Sequence, residues 1–338
     1  MPGRFAEPRF VAVLLIAIGA LWVMVQAGYV PVELLHSLAR WWPLLLIAAG
    51  VGLALPKVGP LPALAAASAV ILALALLGDP VPSGDRVTLH VEPLPAPARS
   101  VEANLNLASS PVSITVTQQP GVMLAATFTG EPQGQLSARG DVSPRVTVNP
   151  RRSFANPFAS IGRQSDWQLA LTGALPLDLS IEAHSGALEL DLRAAQLRRL
   201  DLQTGSGSAR VQLPAASYAV DLETGSGAVW VDIMPGASVD LRAELASGAS
   251  EIKVGEGADS RIRLEARSGS LTLDLPDDAP IRLEITDDGS GRVAVPDYLQ
   301  RRSGSGDTGV WESAALEQGG RVIDIRISDA GSGAIQIR

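Results

Sequence analysis

The sequence contains no cysteine, only three histidines and only 4% aromatic residues. The lack of cysteine excludes disulfide bonds and thiol chemistry. The histidines, His36, His90 and His184, lie too far apart in the chain for any metal-ligand spacing. We therefore expect no metal site and no cofactor, and only His184 lies in the repeats as a base for a serine triad.

Basic residues are also in short supply in most of the chain. Residues 1–78 hold four basic and two acidic side chains, which leaves 23 basic and 33 acidic side chains beyond them, a net charge near −10. Such a segment is expected to avoid nucleic acid and anionic lipid surfaces.

Charged residues are absent from three apolar runs near the N-terminus, which predict transmembrane helices over 10–32, 41–56 and 61–78. The second run is short, which leaves open whether it spans the bilayer fully. A cleaved signal peptide is the alternative for the first run, because Arg4 and Arg9 precede it. Two further apolar runs and the poor cleavage sequence at 25–27 favour a retained helix.

The basic residues near the helix ends predict the orientation. Arg4 and Arg9 precede the first helix and Lys57 separates the second from the third, whereas Arg40 lies in the same loop as Glu33. This bias places the N-terminus in the cytoplasm, and three crossings place the rest of the chain outside it. With only two crossings, the rest of the chain would lie inside.

The apolar region resembles a known family. The segments LLIAIG (14–19) and RWWPLLLIAAGVGLAL (40–55), with Gly28 between them, are similar to the LiaI/LiaF-like transmembrane region of bacterial envelope proteins. This resemblance implies a bacterial inner-membrane protein near cell-envelope stress signalling. The following segment, 79–100, is rich in proline and is expected to be an extended linker with at most a short strand at Val87 to Val91.

Residues 101–338 carry a repeat of the dipeptide Ser-Gly. The glycines follow one another at spacings of 21, 20, 21, 21, 22 and 42 residues, and the last gap equals two periods. We expect each to form a turn in which glycine supplies a positive φ angle. The turn glycines are Gly186, Gly207, Gly227, Gly248, Gly269, Gly291 and Gly333.

Apolar and polar residues alternate on both sides of each Ser-Gly pair, as in Val220 and Leu222 before it and Val229 and Val231 after it. The pattern predicts an all-β domain after the N-terminal transmembrane α-helices. Its expected fold is a β-solenoid or β-roll of about 21-residue coils with two short strands each. Leu264 and Leu273 are expected to join the same buried column.

The repeated TGSG sequence is not a nucleotide-binding loop. Gly205 and Gly207 are followed by the strand pattern ARVQLP rather than by a helix or a Gly-Lys pair. A calcium-binding β-roll is disfavoured, because its repeat is nine residues long.

The β-repeats also resemble a family. LPLDLSIEAHSGALELDL (175–192), the two TGSG repeats and DAGSGAIQIR (329–338) are similar to the toastrack-type β-repeats of bacterial proteins named as adhesins. The resemblance implies a β-helical or β-roll fold and an envelope role, and it supplies no catalytic residue. Outward acids that an enzyme could use on a polysaccharide recur along the strands, at Asp191, Asp201, Asp221, Asp232, Asp240 and Asp274.

Two insertions interrupt the repeat, at 150–167 and 296–320. The first holds Phe154 and Phe158, and the second, which we expect to cap the last coil, holds Trp311. Trp230 is expected to point outward from its strand. These four aromatic residues form the predicted contact surface.

The sequence as a whole predicts a non-enzymatic envelope protein that acts as a sensor, scaffold or regulator in the envelope stress response. Its expected partners are the lipid bilayer, a membrane signalling partner or cell-wall glycan, and further copies of itself. The alternative is an adhesin or glycan-binding surface module, and a polysaccharide-active enzyme is the less favoured third reading.

Overall fold

The computed structural model describes residues 87–107, 111–129, 134–150 and 166–338. The predicted helices at 10–32, 41–56 and 61–78 lie outside these residues, as does most of the insertion at 150–167. Within the described ranges, the structure has no helix of the length and apolarity that crossing a bilayer requires.

The described residues form 23 strands and one short 3-10 helix, Ala314–Gln318. In chain order the strands are β1 (Val87–Pro93), β2 (Val101–Leu107), β3 (Val112–Thr117), β4 (Val122–Thr129), β5 (Gly134–Arg139), β6 (Arg145–Pro150), β7 (Asp166–Thr172), β8 (Pro176–Ala183), β9 (Ala187–Asp191), β10 (Gln196–Thr204), β11 (Ser208–Leu213), β12 (Ser217–Thr224), β13 (Val229–Ile233), β14 (Ser238–Leu245), β15 (Ala249–Val254), β16 (Asp259–Ala266), β17 (Ser270–Asp274), β18 (Ile281–Ile285), β19 (Arg292–Ala294), β20 (Leu299–Ser305), β21 (Thr308–Ser313), β22 (Ile323–Asp329) and β23 (Ala334–Ile337).

Successive strands from β8 to β17 alternate between two sheets. One sheet has eleven strands in the order β1-β4-β7-β3-β9-β11-β13-β15-β17-β23-β19, and the other has twelve in the order β20-β21-β18-β22-β16-β14-β12-β10-β8-β2-β6-β5. Neighbouring coils pair in parallel, so that Leu200 lies beside Val220, Val220 beside Leu241 and Leu241 beside Ile262. The domain is therefore a β-solenoid in which each coil supplies one strand to each sheet.

The core lies between the two sheets, as the alternation of the sequence predicts. Leu222 and Val231 are 4% exposed, and Leu264 and Leu273 are 0% exposed. The column of aliphatic side chains continues through every coil, so the hydrophobic effect stabilises each coil mainly through its neighbours.

The N-terminal end of the solenoid departs from the regular coil. Strands β2 and β3 form a coil below β8 and β9 without a Ser-Gly turn in the described residues, and β4, β5 and β7 add antiparallel or mixed pairings. Strand β1 lies within the predicted linker and pairs antiparallel with β4. The Ser-Gly period therefore indicated only the later coils.

The C-terminal coils do not stack in chain order. Strands β22 and β23 insert between β16/β17 and β18/β19. They therefore lie in the interior of the stack, with aliphatic neighbours on both sides. Ile325, for example, lies between Ile262 and Leu283.

The insertion at 296–320 forms a hairpin of β20 and β21, and β21 pairs antiparallel with β18. The buried Ser313 anchors this hairpin, because its Oγ accepts from the Ile281 amide at 2.9 Å and donates to the Ala279 carbonyl at 2.8 Å. The hairpin extends the twelve-stranded sheet beyond the last coil.

The prediction that the turn glycines adopt positive φ angles was wrong. None of the seven has a positive φ angle, although other glycines such as Gly236 do. Instead, each corner of the coil lies directly on the corner below it. A Cβ added to Gly227 would lie 1.6 Å from the carbonyl oxygen of Gly207, and one added to Gly248 would lie 1.6 Å from that of Gly227. The stack continues in this way from Gly207 on Gly186 to Gly333 on Gly269 and Gly291 on Gly333.

We expect Gly227→Ala to destabilise the β domain, because its Cβ would collide with the backbone of the coil below, where no flexible side chain can yield. Overpacking of this kind costs about 1–3 kcal/mol. The thermal midpoint of the full chain in detergent, followed by the circular dichroism of the β domain, should fall by about 2–12 °C, since 1 kcal/mol corresponds to about 2–4 °C for a domain of this size. The control is Ser226→Ala in the same corner, where the side chain is exposed. Equal midpoints for the two variants would contradict the close approach.

Candidate interaction face

The outer face of the twelve-stranded sheet carries a row of carboxylates. We call Glu223, Glu244, Glu265 and Asp329 the acidic row, because they occupy in-register positions on the adjacent strands β12, β14, β16 and β22. Neighbouring strands lie about 4.8 Å apart, so consecutive carboxylates are direct cross-strand neighbours. The row follows from the repeat itself, since one polar position recurs in each coil just before the Ser-Gly corner.

A row of arginines runs beside it. Arg242, Arg263 and Arg326 are in register with one another on β14, β16 and β22. Arg242 forms an ion pair with Glu244 at 2.9 Å, but Arg263 turns instead to Asp240 and Arg326 to Glu284, both at 2.9 Å. The hydrogen bond that Arg326 donates to the Glu284 carboxylate holds the pKa of Arg326 above its usual value. The structure therefore shows no ion pair, among the residues it describes, for Glu223 or Glu265.

This arrangement is electrostatically unfavourable in the isolated domain. Like charges placed directly opposite each other on adjacent strands destabilise a sheet by roughly 0.2–1 kcal/mol for each pair. Glu223 and Glu265 are both exposed, so salt and water weaken the repulsion without removing it. A basic partner laid along the row would relieve the repulsion.

The outer face of the eleven-stranded sheet holds Trp230, which is 37% exposed. The guanidinium of Arg210, its cross-strand neighbour on β11, lies 5.6 Å from the centre of the indole ring. At the edge of the same face Asp191 binds Arg193 through two hydrogen bonds of 2.7 and 2.9 Å, which lower the pKa of the carboxyl group. Trp230 therefore points outward from its strand, as the alternation predicts, with one side of its ring facing a cation.

The other aromatic residues of the predicted contact surface lie elsewhere. Trp311 is only 5% exposed, because it packs on β18 in the hairpin and has the guanidinium of Arg301 4.8 Å from its ring centre. Its expected role as a surface contact was wrong, since the hairpin turns it towards the core. Phe154 and Phe158 lie outside the described residues.

Several of the groups considered for catalysis form hydrogen bonds or ion pairs with other groups of the protein. The Nδ1 atom of His184 lies 3.2 Å from the carbonyl oxygen of Leu107, and its Nε2 lies 3.7 Å from Glu182. Asp221 is paired with Arg199, Asp240 with Arg263, and Asp274 with Lys253 at 3.4 Å. Across the described part of the chain, no three His, Asp or Glu side chains are grouped for a metal ion. Three of the six outward aspartates, Asp221, Asp240 and Asp274, therefore form ion pairs between coils.

Two family models match the chain. Residues 9–54 match the LiaI-LiaF-like transmembrane region, and residues 94–232 match the N-terminal domain of toast_rack. The chain thus combines a segment that matches the LiaI-LiaF-like transmembrane region with a segment that matches the N-terminal domain of toast_rack. The recognition made from the sequence motifs is confirmed. Neither model describes an enzyme family.

Several solved structures are similar to this chain over 75% of its length. A cell adhesion protein from Clostridium sporogenes is 13% identical with a TM-score of 0.39, over 75% of this chain and 98% of its own. An adhesin from Bacteroides fragilis is 10% identical with a TM-score of 0.31, over 75% and 97%. A lipid binding protein from Parabacteroides distasonis is 13% identical with a TM-score of 0.32, over 75% and 97%. No curated protein matches the chain.

The acidic row was not predicted from the sequence. The signal was present, because Glu223, Glu244 and Glu265 are spaced by 21 residues, the period of the Ser-Gly turns. Only the in-register pairing of the strands turns this spacing into a row. Asp329 joins it because β22 lies next to β16, an adjacency that chain order does not suggest.

We expect Glu265→Gln to raise the thermal midpoint of the domain by about 1–3 °C at low salt, because it removes repulsion from Glu244 and Asp329. The gain should disappear at 1 M salt, where the screening length is about 3 Å. Glu244→Gln is the matched control, since it removes a charge from the same row but also breaks the ion pair with Arg242. A fall in the midpoint of Glu265→Gln at low salt would show that the row is not repulsive.

Proposed function

We propose that this protein is a non-enzymatic scaffold of the bacterial cell envelope that senses or regulates envelope stress through its β-solenoid. The acidic row is the observation that supports this function most directly. It is a line of carboxylates, held in register by backbone pairing, on a domain joined to a transmembrane region. The proposal assigns that line to the binding of a basic segment of a membrane signalling partner.

The rigidity of the face favours such a role. Every strand of the row is paired on both sides by a parallel neighbour, from β12 through β22. A basic partner would therefore find Glu223 and Glu265 already positioned, with little ordering entropy to lose on binding. Charge complementarity of this kind mainly accelerates association and excludes wrong partners.

The proposed location follows from the membrane region. The match at 9–54 supports membrane anchoring, and Arg4 and Arg9 before the first apolar run support a cytoplasmic N-terminus. We place the protein in the inner membrane, with the β domain on the extracytoplasmic side.

One observation favours the alternative function, an adhesin or glycan-binding module. Trp230 is the exposed aromatic residue of the eleven-stranded face, and indole rings offer flat apolar area to a sugar. Its pairing with Arg210 and the ion pairs around it favour a structural role. We therefore rank this function second, and a polysaccharide-active enzyme third.

The orientation is tested by fusing alkaline phosphatase to the C-terminus of the full chain. The fusion should be active, because this enzyme folds into its active form outside the cytoplasm. A green fluorescent protein fusion at the same residue is the matched control and should be dark. A well-expressed but inactive phosphatase fusion with a bright control would reverse the topology.

The function is tested in cells that carry a reporter of envelope stress and are treated with a cell-wall antibiotic. Deletion of the protein should change reporter induction several-fold, and the double variant Glu223→Gln/Glu265→Gln should reproduce at least half of that change. Glu189→Gln/Glu256→Gln is the charge-matched control, since it removes two exposed carboxylates away from the acidic row. It should behave like the wild type.

An unchanged reporter in the deletion strain would contradict a role in the stress response. Digestion of the β domain by protease added to intact cells would then favour the adhesin.

A further inference from the structure

Strand β1 presents its apolar side to solvent. Val87, Leu89 and Val91 alternate along one face of the strand and are 64%, 66% and 52% exposed. The opposite face, turned towards the core side of β4, carries Thr88, His90 and Glu92, and the His90 ring lies 5.9 Å from that of Phe128. Strand β1 therefore exposes its apolar side chains, whereas the strands of the solenoid core bury theirs.

Among the described strands, the free edge of β1 is less protected than the other three sheet edges. Proteins usually blunt an edge with short strands, charged side chains, proline or bulges. Strand β19 has only three residues, β20 carries Arg301 and Arg302, and β5 ends in Arg139. Strand β1 has seven residues without lysine or arginine, and its proline and register shift fall only at its last residue, Pro93. Its pairing with β4 is its only strand pairing in the described ranges.

The outer face next to β1 carries one charged side chain. On this face Ala125, Thr127 and Thr129 of β4 follow the apolar residues of β1, and Ala170, Gln168 and Asp166 of β7 come next. Asp166 accepts a hydrogen bond from Gln168 at 3.2 Å and lies two strands away from β1. A strand paired with the free edge of β1 leaves this carboxylate in water, which avoids the large penalty of burying an ion.

We propose that β1 is a dimerisation strand, through which a second copy of this chain pairs its own β1 in antiparallel fashion. Two identical strands related by a two-fold axis perpendicular to the sheet are necessarily antiparallel. The same axis places both apolar faces on one side of the joined sheet, so that Val87, Leu89 and Val91 of each copy become cross-strand neighbours. The two eleven-stranded sheets merge into one.

The contact area of one strand is small, and the membrane compensates for it. Two copies anchored in one bilayer meet at a raised effective concentration, which a weak contact can exploit. When the two seven-residue strands pair in antiparallel fashion, residue 87 of one copy lies about 23 Å from residue 87 of the other. The eight residues from 79 to 86 reach at most about 29 Å, so both copies can leave the same membrane. The proposed dimer rests on the proposed function in one respect only, which is that both copies are anchored in the same membrane.

Because the chain has no cysteine, single cysteines test the pairing directly. Val87→Cys, Leu89→Cys and Val91→Cys are introduced one at a time into the full chain, and native membranes are treated with a mild oxidant. Val142→Cys and Trp230→Cys are the controls, since they replace exposed apolar residues away from β1. The yield of disulfide dimer should be at least tenfold higher for the best β1 position than for either control.

The direction of pairing is tested with two differently tagged copies of the chain. In an antiparallel pair only one of the three positions can face itself, and Val87→Cys in one copy should crosslink to a different position in the other. Equal self-crosslinking at all three positions would contradict the antiparallel arrangement.

Leu89→Lys blocks the edge while leaving the fold intact, because this side chain is 66% exposed. Measured between two tagged copies, with Val87→Cys in one and its crosslinking partner position in the other, it should reduce the dimer yield at least tenfold, and the thermal midpoint should not change. An unchanged yield would overturn the proposal.

The same cysteine variants also show whether the lipid bilayer, rather than a second copy of the chain, covers β1. Efficient quenching of a fluorophore on Leu89→Cys by nitroxide lipids, without a disulfide dimer, would show that the bilayer covers β1 and would overturn the proposal. The result is separable from the stress-response function, since the crosslinks report the dimer whatever the reporter shows.

Discussion

The close stacking of backbone on backbone at the Ser-Gly corner is the contact on which the rest of the domain depends. At Gly227 and Gly248 no side-chain atom fits between one coil and the next. The corner therefore sets both the spacing and the register of the coils. With the register fixed at one corner, every aliphatic position along the adjoining strands falls above its counterpart. The continuous core is the consequence.

The same register governs the surface. In a solenoid, a residue type repeated with the period of the coil becomes a line of side chains about 4.8 Å apart. On inward positions this makes an aliphatic column, and on outward positions it makes the acidic row and the neighbouring arginines. Several charges of the outer face form ion pairs with neighbouring positions, as Arg199 does with Asp221. Glu223 and Glu265 are set apart by lying directly beside another carboxylate, Glu244, and a like-charged row that lowers stability is commonly kept for binding.

The two ends of the solenoid solve the problem of open edges differently. At the C-terminal end β22 and β23 enter the interior of the stack, and the hairpin of β20 and β21 adds an arginine-bearing edge. At the N-terminal end β1 leaves an apolar strand next to the segment that leads from the membrane region. A domain that stacks its coils without limit needs such end structures, because an unprotected edge invites further pairing.

The sequence by itself determined the all-β class, the coil period and the buried positions, because each follows from local periodicity. Val220, Leu222, Val229 and Val231 could be placed in the core from their alternation alone. It also determined the membrane region, because its motifs recur in a recognised family. Positions that depend on contacts between distant coils were decided only by the tertiary structure. Trp311 is buried because its hairpin folds onto β18, and the place of Asp329 in the acidic row depends on the insertion of β22 beside β16. The role of the corner glycines belongs to the same class, because the φ preference of glycine is local, whereas the approach of Gly227 to Gly207 exists only after the coils have stacked.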